Sequence, residues 1–324
     1  MSDESIVMSD ENMDTMIIHT RLSRVASTDR RLALVVVLLP FLGTLAAIAL
    51  AFNGLPPTIT SIVLFAVLYS ATMLGVECGY HRLFAHRSFK TTKVIEAILA
   101  IFGSMAFQGP LIWWAATHRR HHQYSDTEGD AHSPHLFSTN ENPNLWRGFI
   151  HSHMGWLFSQ ESTRPAKWAS NVKDLYREQL MYSLHMNYYF WLLLGLILPA
   201  AIGGMVDGGW QGALLGFLWG GLVRIFFVHH LFWSLNSFCH LVGHSAFPGV
   251  NDRSRNVLFL VLPTFGQGWH NNHHAFPASA KCGLAWWQID ITWWVIKTLS
   301  VLGLAWDLRR VTPEQIEMRL RNPH

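Results

Sequence analysis

The run LALVVVLLPFLGTLAAIALAF at residues 32–52 contains no charged side chain, and about 20 apolar residues are enough for a helix to cross a bilayer. A short turn separates it from a second uncharged run at 58–76, so the two runs predict a membrane hairpin. Two further apolar runs, 188–205 and 213–231, have no Lys or Arg between them and predict a second hairpin. The expected fold is therefore an all-α integral membrane protein with four transmembrane helices.

The composition of the whole chain agrees with a membrane protein. Of its 324 residues, 50% are hydrophobic and only 14% are charged, whereas an ordinary soluble domain has roughly 25% charged residues. The net charge of +3 is too small to indicate a nucleic-acid partner. Three cysteines cannot supply a disulfide framework or a zinc site of paired cysteines.

Basic residues lie outside both hairpins. Arg31 precedes the first span, Arg82 follows the second, and neither hairpin turn contains Lys or Arg. Because segments rich in Lys and Arg stay on the cytoplasmic side, we expect both termini there. The resulting plan has a mobile N-terminal tail at 1–31, one domain at 32–310 with a cytosolic helical cap formed by 77–187 and 232–310, and a C-terminal tail at 311–324.

Two other apolar segments are interrupted by charged residues. Glu96 lies within 94–114, and Asp290 lies within 285–304. A charge inside a bilayer is costly, so we expect each segment to be a buried or interfacial helix and not a span.

Histidine is unusually abundant, with 19 residues, and most of them are clustered. Helical positions i, i+3 and i+4 share a face, so the histidines of one sequence motif can reach one small volume. The predicted topology brings all four such motifs, at 81–86, 118–122, 236–240 and 270–274, to one membrane surface. Neutral imidazole suits zinc, copper, iron and nickel. Nine imidazoles exceed the needs of one ion and predict two metals with four or five His each, although spacing alone does not identify the metal. The candidates are His81, His86, His118, His121, His122, His240, His270, His273 and His274, with Asn236 four residues before His240.

The remaining histidines of the predicted cap and fourth span are expected to be structural, or to support the ligating imidazoles through the second ring nitrogen. These are His132, His135, His151, His153, His229, His230 and His244.

At these motifs the sequence resembles the membrane fatty acid desaturases, and specifically their acyl-CoA Δ9 (stearoyl-CoA-like) branch. The matching strings are GYHRLFAH at 79–86, HRRHH at 118–122, NSFCH at 236–240 and GQGWHNNHH at 266–274. The resemblance covers roughly residues 35–310 in consistent order, and the set of motifs is highly specific.

The resemblance implies a four-span protein whose cytosolic cap holds two irons and uses O2 and two electrons to remove two hydrogens from an acyl chain. It assigns one iron to His81, His86, His118, His122 and His273, and the other to His121, His240, His270 and His274, with Asn236 acting through water. Zinc can occupy these sites in purified members. An apolar substrate tunnel is expected to bend at Trp114 and Trp233 and to end near Tyr69 and Met73.

The chain departs from the animal members of the branch at one important place. Ala116 and Thr117 stand where those members have Arg and Asp that help to hold CoA. The acyl carrier is therefore CoA held differently, acyl carrier protein or a membrane lipid, and a bacterial cytoplasmic membrane is expected in preference to the endoplasmic reticulum. A further departure is the segment 136–147, which resembles an insertion.

The electrons are expected from a separate donor of ferredoxin or cytochrome b5 type with its reductase. The sequence contains no His-Pro-Gly-Gly segment, ferredoxin cysteine spacing or Rossmann glycine fingerprint. A basic surface formed by Arg119, Arg120, Arg309 and Arg310 could receive that donor or contact lipid headgroups.

Two alternatives to a desaturase are open at this point. A hydroxylase or acetylenase would use the same metals, and the motif spacing does not separate these reactions. A membrane metal transporter is disfavoured, because transport needs ionisable groups along the spans and the first and third spans have none.

Overall fold

The structure is a computed structural model that describes residues 30–137, 144–159, 169–248, 250 and 252–321. Nearly all of the predicted N-terminal tail, the middle of the expected insertion at 136–147 and the last three residues lie outside the described residues. Arg30 and Arg31, which were expected in the tail, already belong to the first helix.

The described chain is mostly helical, with one pair of two-residue antiparallel strands. In chain order the helices and strands are α1 (Arg30–Phe52), α2 (Ile59–Leu74) with a π-helical continuation (Gly75–Ala85), β1 (Lys90–Thr91), α3 (Lys93–Met105), α4 (Leu111–Tyr124), α5 (Leu145–His153), two 3₁₀ turns (Gly155–Phe158 and Ala169–Val172), α6 (Lys173–Arg177), α7 (Gln179–Met186), α8 (Tyr188–Val206), α9 (Gly209–Leu215) with a π-helical continuation (Gly216–Val223), α10 (Arg224–Leu241), α11 (Leu258–Val261), α12 (His270–Ala275), α13 (Ile291–Val301), β2 (Ala305–Trp306) and α14 (Pro313–Arg321).

Four helical stretches in the described part of the chain are long and apolar enough to cross a membrane: Arg31–Phe52, Ile59–Ala85, Tyr188–Val206 and Gly209–Leu241. The fourth stretch packs against each of the other three. Large apolar side chains such as Leu42 (55% exposed) and Ile197 (60% exposed) point outward from these helices, which is typical of a surface that contacts lipid. The predicted all-α membrane fold with four spans is confirmed.

The second and fourth helical stretches run further than their apolar runs predicted. The second continues past 76 to Ala85, and the fourth continues past 231 to Leu241. The extension of the second stretch includes Glu77, His81 and Arg82, yet every residue of Gly75–Ala85 is buried. Hydropathy therefore predicted only where the apolar run ends. The helix continues beyond that point because its next residues pack against the rest of the fold.

The two interrupted segments are less continuous than expected. The segment 94–114 divides into α3 and α4, because Phe107 and Gly109 adopt positive φ angles of 59° and 98° between them, a conformation that breaks a helix. In 285–304 the helix begins only at Ile291, where the Asp290 side chain accepts a hydrogen bond from the Trp293 amide over 2.9 Å. That bond is a typical N-cap.

Arg224 ties the membrane helices together from inside the fourth stretch. Its guanidinium is fully buried and donates to the carbonyls of Met105 (2.6 Å), Gly195 (2.9 Å) and Gly220 (3.0 Å). Those carbonyls belong to α3, α8 and the π-helical segment before α10. A planar group with five donors can satisfy three such carbonyls at once, so this charge stabilises the junction between the bundle and the cap.

Candidate metal centre

The first histidine cluster gathers side chains from three separate parts of the chain. Three pairs of Nε2 atoms face each other within it: His81 and His273 are 3.1 Å apart, His86 and His118 are 2.8 Å apart, and His122 and His273 are 2.9 Å apart. These five residues each offer one ligand atom, and the atoms all lie within 4.8 Å of one another. The cluster therefore joins the end of the second span to α4 and α12.

The second cluster is formed by four buried histidines, His121, His240, His270 and His274. Nε2 of His270 lies 3.1 Å from Nε2 of both His240 and His274. Here α4 and α12 meet the end of the fourth span, which carries His240. Both clusters thus depend on the same two short helices.

Helical geometry divides the His motifs between the clusters. On α4, His118 and His122 contribute to the first cluster and His121 to the second; on α12, His270 and His274 contribute to the second and His273 to the first. The i and i+4 residues of each motif share a cluster, and the third histidine turns to the other. The two clusters are therefore neighbours that cannot be separated without breaking α4 or α12.

Carboxylates orient the imidazoles from outside, and sequence reasoning missed them. Nδ1 of His121, His240 and His274 each donates to an aspartate, namely Asp130 (2.9 Å), Asp126 (2.8 Å) and Asp252 (2.6 Å). In the first cluster, Glu77 Oε2 lies 3.1 Å from His81 Nδ1. Such partners fix the tautomer of a ligating histidine and raise its basicity. The sequence offered one clear signal, Glu77 at i−4 from His81 on the same helix.

The donor set fits a metal ion. An Nδ1 that donates outward leaves the lone pair on Nε2, and the Nε2 atoms face one another inside the clusters. Burial, and then the neighbouring imidazoles, hold the pKa of His118, His122, His270, His273 and His274 well below the usual value. Neutral imidazole is the form that binds a metal. Several unprotonated nitrogens that converge without a donor between them are best explained by a cation.

Glu77 is itself held by a second buried network. The Arg82 guanidinium donates to Glu77 through Nε (3.0 Å) and to Asp290 through Nη1 (3.0 Å). Asp290 also accepts hydrogen bonds from the amides of Cys282 and Gly283. The position of His81 is thereby tied to the start of α13, 208 positions from Arg82.

The outer histidines mostly serve packing and hydrogen bonding. Nε2 of His135, His151 and His229 lies 2.9–3.0 Å from the carbonyl oxygens of His240, Ala131 and Phe107, respectively. His153 bridges Ser237 and His230 at 3.0 Å each, whereas the His244 side chain is exposed. His132 lies closest to the clusters, since its ring centroid is 4.4 Å from that of His121 and its Nδ1 is 3.6 Å from Asp130.

An apolar cavity opens beside the first cluster. Its described lining includes His118, Asn236, Trp114 and Trp233 and contains no Asp, Glu, Lys or Arg. The Trp114 ring stacks on His118 with 5.0 Å between centroids. Asn236 lies one helical turn before His240. The cavity is therefore an apolar space that reaches the first cluster at His118.

The structure does not place every predicted tunnel residue in this cavity. Tyr69 donates a hydrogen bond from its hydroxyl to the Pro263 carbonyl, and Met73 is fully buried in the core. Neither belongs to the described cavity lining. Their place at the closed end of a tunnel stays a prediction.

The expected basic surface is only partly present. Arg119 is mostly buried and pairs with Asp174 at 2.7 and 2.8 Å, and Arg120 is only 7% exposed, so these two do not form a surface. Arg309 and Arg310 are exposed. They line a groove together with Arg319 and residues 275–279, which directly follow His274.

Comparison with known proteins gives one consistent result. The model of the fatty acid desaturase family matches residues 57–306. The chain is 43% identical over 289 residues to the hex-5-enoyl-[acyl-carrier protein] acetylenase of Moorena producens, covering 87% of this chain and 86% of the relative. It is 38% identical over 244 residues to the sn-1 stearoyl-lipid 9-desaturase of Anabaena variabilis (75% and 81% covered). It is also 38% identical over 260 residues to an acyl-CoA 5-desaturase of Anemone leveillei (80% and 73% covered).

Proposed function

This chain belongs to the fatty acid desaturase family, and we propose that it introduces a double bond near the middle of a saturated acyl chain, in a Δ9-like position. It is an oxidoreductase that acts on fatty acyl chains. In the proposed reaction the acyl chain loses two hydrogens, the donor protein supplies two electrons, and the solvent supplies two protons. Together these reduce one O2 to two waters, so atoms and electrons balance.

The proposed cofactor is a pair of irons. His81, His86, His118, His122 and His273 would hold one, and His121, His240, His270 and His274 the other, with Asn236 reaching the second through water. When bound, the irons supply the oxidising power that an unactivated C–H bond requires. Zinc could fill the same sites in a purified preparation, since imidazole also suits zinc.

The chain's own residues would position the substrate and exclude water. The cavity beside His118 has an apolar lining, and the rings of Trp114 and Trp233 stand in its wall. An acyl chain would bury its methylenes there at roughly 0.8 kcal/mol each. Placing one methylene pair next to the imidazoles is the contribution that the protein makes to selectivity.

The acyl carrier is proposed to be recognised without a charge pair at the cavity. Thr117 lines the cavity and Ala116 is buried, so the Arg–Asp pair of the animal branch has no equivalent here. The relatives act on acyl groups carried by acyl carrier protein, lipid and CoA, as their names state. We place lipid and acyl carrier protein ahead of CoA for this chain.

The electron donor is proposed to be a separate protein of ferredoxin or cytochrome b5 type. The groove with Arg309, Arg310 and Arg319 suits an acidic partner, and it borders the segment that directly follows His273 and His274. The donor and both termini would then lie on the cytoplasmic side of a bacterial cytoplasmic membrane.

The observation that carries the proposal is the pair of adjacent imidazole clusters, the first of which borders an apolar cavity through His118. The test is fatty acid analysis by gas chromatography–mass spectrometry of cells that express the chain. A new monounsaturated acid should appear with the wild type and with His244→Ala, whose side chain is exposed, and should be absent with His121→Ala. In vitro assays with acyl lipid, acyl carrier protein and CoA substrates then identify the carrier. If no carrier yields a product when donor, reductase and iron are present, the desaturase assignment is wrong.

A second candidate reaction is acetylenation. It is favoured by one observation, the 43% identity with an acetylenase, and it uses the same metals on an existing double bond. Supplying a monounsaturated acyl substrate separates the two reactions, because only an acetylenase converts it to an alkyne.

A further inference from the structure

The two histidine clusters differ in the negative charge that surrounds them. In the second cluster, His121, His240 and His274 each donate to a buried aspartate. The fourth imidazole, His270, has the neutral amide of Gln267 beside it at 3.5 Å. In the first cluster, one of the five imidazoles, His81, has a carboxylate partner among the residues that the structure describes.

The partner carboxylates also differ in how far they are neutralised. Glu77 shares its charge with Arg82, whose Nη2 lies 2.9 Å from Glu77 Oε1. Within the described residues, the ion pairs of Asp126, Asp130 and Asp252 join them to imidazoles only. The second cluster is thus surrounded by three carboxylates, while the carboxylate of the first is paired with a guanidinium.

Hydrogen bonds hold all three aspartates in place, including one that Asp252 accepts from the Ser254 amide (2.9 Å). Asp126 has a positive φ of 59°, a costly conformation for a residue other than glycine. Its side chain accepts hydrogen bonds from His240, from Ser133 Oγ (2.8 Å) and from the Arg253 amide (2.9 Å). Asp130 accepts from the Asp126 amide as well as from His121. The negative charges are therefore fixed before any metal binds.

We propose that Asp126, Asp130 and Asp252 make the two metal sites electronically unequal, so that the second cluster holds its iron at a lower reduction potential than the first. A carboxylate that accepts the Nδ1 proton increases the basicity of the imidazole. Fixed negative charge in a poorly screened interior also favours the more highly charged ferric ion. The inference rests on the proposed function, because it assumes that iron occupies both clusters.

The test is a redox titration of the full chain in detergent, loaded with ⁵⁷Fe and followed by Mössbauer spectroscopy. We expect two irons per chain that oxidise in two separate steps. Asp126→Asn and Asp252→Asn should each raise the lower of the two reduction potentials by about 59 mV. For a one-electron couple this shift corresponds to about a tenfold change in the equilibrium constant. Glu77→Gln should raise the upper step and leave the lower one in place. Asp126→Glu keeps the charge and should restore the wild-type value, which separates charge from structure.

Several outcomes would overturn the proposal. These are a single oxidation step for both irons in the wild type, equal shifts of both steps in the aspartate variants, or movement of the lower step by Glu77→Gln. If one aspartate variant fails to fold, Asp130→Asn provides an independent replacement. The desaturase proposal is judged separately by product analysis: two unequal irons without a lipid product would contradict that proposal alone, and a chain that cannot bind two irons would contradict both.

Discussion

His81 and His273 stand 192 positions apart in the sequence, and their Nε2 atoms lie 3.1 Å apart in the structure. His273 also lies 2.9 Å from His122 through the same atom, while its neighbour His274 belongs to the other cluster. Two adjacent residues on one short helix therefore belong to two different histidine clusters.

The first prediction uses that pair of neighbours. His273→Ala should remove the metal from the first cluster and His274→Ala the metal from the second, so each variant should retain about one of two metals and lose most activity. Elemental analysis of purified protein gives the metal content. His244→Ala is the control, because its side chain is exposed and lies outside both clusters. Loss of both metals from each single variant would mean that the clusters do not bind independently.

The second prediction concerns the stability of the metal-free chain at different pH values. The pKa of His118, His122, His270, His273 and His274 is lowered by burial and by the neighbouring imidazoles. The folded state therefore binds fewer protons than the unfolded chain, whose histidines have a pKa of about 6.5. The stabilisation of the folded state by these neutral imidazoles is therefore complete at pH values above the pKa of the unfolded chain. It decreases as the pH falls below that pKa, by up to about 1.4 kcal/mol per group and pH unit.

Thermal unfolding in detergent tests whether stability decreases as the pH falls. The Tm of the metal-free chain should fall between pH 7.5 and pH 5.5, and added metal should raise Tm more at the higher pH, where protons compete less. A Tm that stays constant or rises on acidification would contradict the assignment of neutral buried imidazoles.

The third prediction tests the closed end of the tunnel. Met73 is fully buried on the second span, and Met73→Ala should lengthen the acyl chain that is accepted, at a cost of roughly 2–5 kcal/mol in stability. Met181→Ala is the matched control, because Met181 is equally buried but belongs to α7. Product analysis with substrates of increasing length gives the answer. An unchanged length profile in Met73→Ala would remove Met73 from the tunnel.

The fourth prediction concerns the buried charge in the fourth span. Arg224→Leu should destabilise the protein by about 3 kcal/mol or more, because it deprives three carbonyls of a charged donor. Arg224→Lys should recover only part of the loss, since an ammonium cannot reproduce the planar fork. The midpoint of thermal unfolding in detergent measures both variants. Full recovery by lysine would show that charge alone is sufficient.

The fifth prediction tests whether the groove lined by Arg309, Arg310 and Arg319 binds the electron donor. Arg309→Glu with Arg310→Glu should raise the KM for reduced ferredoxin at least tenfold and leave kcat nearly unchanged, because the change opposes an acidic partner. Arg321→Glu is the control: Arg321 is exposed on α14 but is not part of the groove lining. If vesicle binding falls while the KM stays constant, the groove contacts anionic lipid.

Much of the fold could be predicted from the sequence, because its signals are local. An uncharged run such as 32–52 favours a membrane helix whatever surrounds it, and the spacing of His118, His121 and His122 places them on neighbouring faces of one helix. Helix ends were less predictable. The polar residues before His86 continue the second span because other parts of the fold bury them, and no local pattern expresses that burial.

Local sequence signals were sufficient to predict the four spans, the nine clustered imidazoles and the family motifs. The partners of the buried charged and imidazole groups depend on the folded chain: Asp126 contacts His240 across 114 positions, and Arg82 contacts Asp290 across 208. In the folded chain Arg119 is also paired with Asp174 and mostly buried, so it does not form part of a basic surface. The physical reason is that apolar runs and helical periodicity act over a few residues, whereas the partner of a buried charge is chosen by the packing of elements that are distant in the chain.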